Sequence, residues 1–137
     1  MSAGLERLVY ESTATGSTDS LTNLAAILAQ SQRNNERDSL TGVLAAHRER
    51  YVQAVEGAPV ALDSLLRRLQ DDPRHRELKL IGRELITARL FDGWSMASAR
   101  ITPTQGETLD RLAERGELTS HQTIRILLDA LDAAPAE

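Results

Sequence analysis

Two side chains with hydrogen-bonding chemistry lie inside apolar, strand-like runs of the sequence. Gln53 is flanked by Val52 and Ala54, and Tyr10 directly follows Val9. A buried glutamine has donors and acceptors that must be satisfied, and most buried polar side chains simply bind neighbouring groups. A phenol has a pKa near ~10, so a tyrosine is neutral and able to donate a proton. Taken alone, the pattern favours a satisfied glutamine and an ordinary strand aromatic.

The other polar candidates also have ordinary interpretations. Asn34 and Asn35 are typical of a helix end, where unusual backbone angles are tolerated. Arg68 and Asp72 lie four residues apart on a predicted helix, a spacing typical of an exposed ion pair. The chain has no cysteine, and its histidines lack the spacing of metal ligands. We therefore predict no metal site, no disulfide and no thiol chemistry.

Composition and charge exclude several classes of protein. With 137 residues, 41% of them hydrophobic and 26% charged, the sequence suits one globular domain. A net charge of −4 argues against a nucleic-acid-binding protein. No apolar run approaches the ~20 residues of a membrane-spanning helix, and the first residues lack the pattern of a signal peptide. We expect a cytoplasmic protein that binds neither nucleic acid directly nor a membrane.

Hydrophobic periodicity predicts five strands and two pairs of helices. The strands fall at 5–12, 40–46, 51–56, within 78–90 and at 94–101, and the helices begin near residue 21, at Pro59, at a capping box formed by Thr104 and Glu107, and near Ser120. The first helix should fade at Arg33–Asn35, and Asp92-Gly93 supplies a turn between the last two strands. The β-α-β-β-α-β order matches the ferredoxin-like arrangement. We predict an α+β fold with a ferredoxin-like βαββαββ sheet, two helices on one face and two C-terminal helices.

Six short segments in the first hundred residues follow the order and spacing of one known family. They are Leu8-Val9-Tyr10-Glu11-Ser12, Ser31-Gln-Arg-Asn34-Asn35, Leu40-Thr41-Gly42-Val43-Leu44, Tyr51-Val-Gln53-Ala-Val-Glu56-Gly57, Asp72-Pro73-Arg74-His75 and Trp94-Ser95-Met96. Each segment alone is weak, but together they closely resemble the BLUF domain, which senses blue light with a flavin. Two departures are Tyr51, where phenylalanine is usual, and Ser39, where glycine or an acidic residue is frequent. Tyr51 is a second phenol that could compete as an electron donor.

The resemblance implies a non-covalently bound FAD between the first two helices, or FMN or riboflavin when the protein is recombinant. It makes Tyr10 the photochemical electron donor and Gln53 a bridge between Tyr10 and the N5/C4-carbonyl edge of the flavin. Trp94 and Met96, on one face of the fifth strand, become alternates for the place beside Gln53. The cofactor-binding residues that it implies are Tyr10, Ile27, Ser31, Asn34, Asn35, Gln53, Arg68, Leu69, Asp72 and His75.

The function that the resemblance implies is sensing rather than catalysis. Light would drive proton-coupled electron transfer from Tyr10 to the flavin and a hydrogen-bond switch at Gln53. We expect residues 1–102 to form the sensor and residues 103–137 a helical extension of the same domain. The output would pass to a separate effector protein or through a homo-oligomer of two or more copies. The alternative is a small acylphosphatase-like or flavin-dependent enzyme, but no glycine-rich phosphate loop or Gly-x-Gly-x-x-Gly fingerprint is present.

Overall fold

The predicted order of elements is present in the computed structural model, which describes residues 4–14, 21–47, 50–72, 75–93 and 95–132. In chain order the elements are β1 (Leu5–Ala14), α1 (Leu21–Asp38), β2 (Thr41–His47), β3 (Arg50–Gly57), α2 (Pro59–Asp71), β4 (His75–Ile86), β5 (Ala97–Ala99), α3 (Pro103–Glu114) and α4 (Ser120–Asp132). Among the described residues, every helix falls short of the length and apolar character that a bilayer crossing requires.

The strands form a single mixed sheet in the order β4-β1-β3-β2-β5. The first four strands are antiparallel neighbours in the ferredoxin-like order, and β5 adds to the edge of β2 in parallel. The α+β fold class is therefore confirmed. Tyr10 on β1 lies directly opposite Gln53 on β3. Directly opposed residues project from the same face of the sheet, which brings these two side chains within contact distance.

Each face of the sheet carries its own hydrophobic core. The first core lies against α1 and α2 and consists of Leu8, Tyr10, Ile27, Leu40, Leu44, Tyr51, Val55, Leu62, Leu69 and Met96. The second core lies against α4 and consists of Val9, Val43, Ala45, Ala54, Phe91, Ala99, Ile124, Leu127 and Ala130. Alternate strand residues contribute to opposite cores, as the two-residue period of a strand requires.

The prediction of the fifth strand is wrong about the length of the strand and about the connection that precedes it. Only Ala97–Ala99 is strand, so Met96 precedes β5 rather than lying within it, and Trp94 lies outside the described residues. Because β5 pairs with β2, it occupies the edge of the sheet opposite to β4. The Asp92-Gly93 turn therefore belongs to a connection across the sheet and not to a hairpin, since parallel pairing requires a crossover.

Two predicted helix boundaries are also corrected. Helix α1 does not fade at Arg33–Asn35 but continues to Asp38. Ser39, directly after the helix, has a left-handed φ of 57°, and the Leu40 N–H donates to the Asn35 carbonyl at 2.8 Å. The capping box of α3 uses Thr102 and Gln105 instead of Thr104 and Glu107, because Pro103 takes the first helical position, which suits its fixed φ.

Candidate functional site

A cavity of about 540 Å³ opens between α1, α2 and the sheet face that carries the first core. Its volume lies within the range of small-molecule and cofactor sites. The walls mix apolar side chains with amides and charges: Tyr10, Ile27, Gln30, Ser31, Asn34, Asn35, Gln53, Leu65, Arg68, Leu69, Asp71, Asp72 and Met96. The two helices supply most of this wall, and the sheet supplies Tyr10 and Gln53 as its floor.

The floor of the cavity is a hydrogen-bonded pair. The Tyr10 hydroxyl donates to Gln53 Oε1, and both side chains are buried. Because its oxygen accepts from the phenol, the Gln53 amide still has N–H donors to offer to a second partner. A half-turn of the amide, or its tautomerisation, would reverse this pattern of donors and acceptors. In the arrangement observed, the amide accepts from Tyr10 and keeps its donors for a second partner.

Burial raises the pKa of the Tyr10 phenol well above its ordinary value. The charge of Arg68 lowers this pKa and the charge of Asp72 raises it, both more weakly than burial does. Burial acts in this direction because the phenolate is a charged form that loses its hydration inside the protein. Tyr10 therefore keeps its proton throughout the physiological pH range and is a neutral donor to Gln53.

The amides of α1 reach the cavity because the helix continues through them. Asn35 is buried, and its Nδ2 donates to the Ser95 carbonyl. Gln32 Nε2 donates to the Met96 carbonyl at 3.1 Å. These bonds join α1 to the segment before β5 and hold Met96, itself buried, at the cavity wall. They also add tertiary stabilisation to a helix end that propensity alone leaves weak.

Arg68 joins the two helices at the cavity. Its Nη1 lies 3.2 Å from Asp38 Oδ2, so its ion pair is with the end of α1. Its Nη2 is buried and has no hydrogen-bond partner among the described residues. A buried guanidinium nitrogen without an acceptor is costly, and an acceptor-bearing ligand in the cavity would satisfy it.

Most of the side chains expected to bind a cofactor converge on this one cavity. Those at its wall are Tyr10, Ile27, Ser31, Asn34, Asn35, Gln53, Arg68, Leu69 and Asp72. The His75 side chain lies outside the described residues, although its backbone begins β4. The sequence interpretation missed Gln30, Leu65 and Asp71. Helical spacing could have found them, since each lies three or four residues from another wall residue.

A family model described as sensors of blue-light using FAD matches residues 5–97. This match covers well over half of the chain and includes the described floor of the cavity. The chain belongs to the BLUF family. BLUF domains are blue-light flavin sensors, and the ferredoxin-like sheet described above is consistent with their fold.

Individual relatives agree with this assignment. The chain is 32% identical over 96 residues to the photoactivated adenylate cyclase subunit beta of Euglena gracilis, a match that covers 69% of this chain and 11% of that protein. The chain thus spans about a tenth of the length of the curated relatives that it matches. The dark-state structure of the BLUF protein BlrB is 32% identical, with a TM-score of 0.75, and 95% of this chain and 96% of that one are covered. The photo-activated state of BlsA is 25% identical, with a TM-score of 0.79 and coverage of 97% and 99%.

The residues at the cavity fit a flavin. The ring system has broad apolar faces, which Ile27 and Leu69 suit, and a polar edge of alternating carbonyl and N–H groups, which Asn34 and Asn35 suit. The Arg68 Nη2 that lacks a protein acceptor suits an anionic or carbonyl group of the cofactor.

Proposed function

We propose that this BLUF chain binds FAD non-covalently in the cavity between α1 and α2 and signals by a hydrogen-bond switch at Gln53. The observation that carries the proposal is the buried bond from the Tyr10 hydroxyl to Gln53 Oε1 at the cavity floor. FAD is the expected flavin, and FMN or riboflavin can take its place in recombinant protein. The cofactor supplies the absorption of blue light and an acceptor for one electron.

Tyr10 is the proposed electron donor. A phenol that loses an electron becomes a strong acid, so its proton would move along the existing bond to Gln53 Oε1, and the Gln53 amide would give an N–H proton to the flavin that holds the electron. After the electron and the proton return to Tyr10, the amide of Gln53 would be left with its donors and acceptors reversed. Atoms and electrons balance over the cycle, and only the hydrogen-bonding pattern differs.

The proposed output leaves the sensor through its C-terminal helices. Residues 1–102 would form the sensor and residues 103–137 an extension that changes its packing or mobility in light. A separate effector protein or a homo-oligomer of two or more copies would receive the signal. The support for this route is the bonding of α1 to Ser95 and Met96, directly before β5, at the wall of the cavity.

Purification and illumination test the proposal. The protein should be yellow, and denaturation should release an oxidised flavin that chromatography identifies as FAD, FMN or riboflavin. Blue light should shift the flavin absorption reversibly to longer wavelength. A colourless protein that takes up neither FAD nor FMN when these are added would overturn the proposal.

A further inference from the structure

Glu56 is a carboxylate held completely inside the protein, on the side of the sheet away from the cavity. Its exposed fraction is 0%, and it lies three residues after Gln53 on β3, so the two side chains project from opposite faces. Burial of a carboxylate is costly unless its oxygens are bonded and its charge is paired. The hydrogen-bond partners of Glu56 therefore indicate the role of this buried carboxylate.

The two oxygens of Glu56 are surrounded by donors. Oε2 accepts from Arg7 Nε at 2.9 Å and from the Leu90 N–H at 2.8 Å, and Arg7 Nη2 lies 2.9 Å from the same oxygen. Oε1 accepts from the Phe91 N–H at 2.9 Å and from Thr41 Oγ1 at 3.4 Å. Two of these donors are backbone groups of a segment that is neither helix nor strand. The carboxylate thus fixes the path of the main chain at Leu90 and Phe91.

This segment belongs to the connection from β4 to β5, of which the structure describes residues 87–93 and 95–96. It crosses the end of the whole sheet, a span of about 19 Å for four strand spacings. Arg89 adds a second attachment at the same place, because its Nη1 donates to the Glu56 carbonyl at 3.1 Å and its Nη2 to the Ser39 carbonyl at 2.9 Å. The middle of the connection is therefore attached to the end of β3.

The same connection reaches both cores. Phe91 is completely buried in the second core with Ile124 and Leu127 of α4. Five residues later, Met96 lies in the first core at the wall of the cavity, where Gln32 bonds its carbonyl. A displacement of Met96 can reach α4 forward through Ala99 of β5, which lies in the second core, or back along the connection to Phe91. The second route requires that the connection be held firmly at Phe91.

We propose that Glu56 is a positioning residue that couples the cavity to α4 by fixing the connection from β4 to β5 at Leu90 and Phe91. This inference rests on the proposed function, because it concerns how the change at Gln53 leaves the site. Glu56 takes no part in the photochemistry, which occurs on the other face of β3. Its carboxylate needs both oxygens as acceptors, which an amide cannot provide.

The test compares Glu56→Gln with Ile124→Val in the full chain with flavin bound. In Glu56→Gln one oxygen becomes an N–H donor that faces other donors. The Leu90 and Phe91 amides should then exchange hydrogen about tenfold faster or more, which is the effect of one buried group left unsatisfied. The red-shifted state should still form in blue light, but the light-induced change of hydrogen exchange in residues 97–131 should be clearly weaker than in the wild-type protein. Ile124→Val removes one methyl group from α4 in the second core but leaves every hydrogen bond of Glu56 in place, and it should keep that response.

The outcomes separate this inference from the proposed function. A full response of residues 97–131 in Glu56→Gln, or an equal loss of the response in Ile124→Val, would overturn the positioning role. If Glu56→Gln does not fold, Glu56→Asp decides, since it keeps the charge but is one methylene too short to reach the Leu90 and Phe91 amides in the same way, and an undiminished response there would overturn the inference. A wild-type protein that binds flavin but never shifts its spectrum would overturn the proposed function itself.

Discussion

The two faces of the sheet differ in how closely their side chains pack and in how much space they leave. The face against α1 and α2 leaves a cavity of about 540 Å³ and places Gln53, Asn35 and Arg68 around it. The face against α3 and α4 is packed closely with small residues, and a methyl group at Gly106 would lie 2.2 Å from the His47 ring. The first face has room and bonding groups for a cofactor, while the described cavity beside α4 is smaller, at about 250 Å³. We infer that chemistry belongs to the first face and mechanical response to the second.

Among the variants that test this difference between the two faces, Tyr10→Phe should have the largest effect. The variant should keep its flavin and its fold but lose the red-shifted state entirely, because phenylalanine is a poorer electron donor and has no proton to give. Absorption spectra before and after blue light measure this directly. Tyr51→Phe is the matched control on the same face, and it should retain the shift. A normal photocycle in Tyr10→Phe would assign the donor to Tyr51 or Trp94.

A pair of truncations compares the faces energetically. Leu127→Ala, at a completely buried place in the second core, should lower the free energy of unfolding by about 2–5 kcal/mol and leave the dark flavin spectrum unchanged. Leu69→Ala, at the cavity wall, should lower the free energy of unfolding by less, because protein packs around only part of the Leu69 side chain. It should instead weaken flavin binding. Denaturant titrations and flavin binding measure both effects. If Leu127→Ala altered the dark spectrum as much as Leu69→Ala, the two faces would not be independent.

The raised pKa of Tyr10 predicts a loss of stability in alkali. The unfolded chain releases the phenol proton near pH ~10 while the folded protein retains it, so this contribution is fully present below pH ~10 and falls above it. Relative to Tyr10→Phe, the wild-type free energy of unfolding should decrease by up to ~1.4 kcal/mol per pH unit in that range. Unfolding curves at several pH values test this. A constant difference between the two proteins up to pH ~11 would contradict the burial of a neutral phenol.

The smallest expected effect concerns the end of α1. Ser39 has a left-handed φ of 57°, which glycine adopts without the steric cost of a Cβ. Ser39→Gly should therefore raise the free energy of unfolding by about 0.5 kcal/mol. Ser39→Ala keeps the Cβ and should bring no such gain, so equal stability of the two variants would contradict the explanation.

The parts of the fold set by local pattern could be predicted from the sequence. The alternation around Tyr10 and Gln53 and the helical repeat of α2 and α4 gave the order of elements. The convergence of the nine described cofactor-binding candidates on one cavity followed from family resemblance and not from spacing. Their roles toward a flavin stay predictions.

The features that were predicted wrongly, the end of α1 and the connection before β5, depend on contacts between residues distant in the sequence. Helix propensity ends α1 at Asn35, but the bond from this side chain to Ser95 and the cap at Ser39 carry the helix further. The Asp92-Gly93 pair predicts a turn correctly, yet nothing local says that the chain then crosses the sheet to β2. The bonds that direct this crossing come from Glu56, which is 34 and 35 residues away from its backbone donors.

The central claim is that light reverses the hydrogen bonds of Gln53, and light-minus-dark infrared difference spectra test it most directly. A carbonyl that gains a hydrogen bond vibrates at lower frequency, so a flavin carbonyl band should move to lower frequency in the wild-type protein. Gln53→Leu lacks the switching amide, and it should show neither this band shift nor the red-shifted visible spectrum while it still binds flavin. A wild-type protein whose visible spectrum shifts while every flavin carbonyl band stays in place, or a Gln53→Leu variant with the wild-type difference spectrum, would contradict the claim.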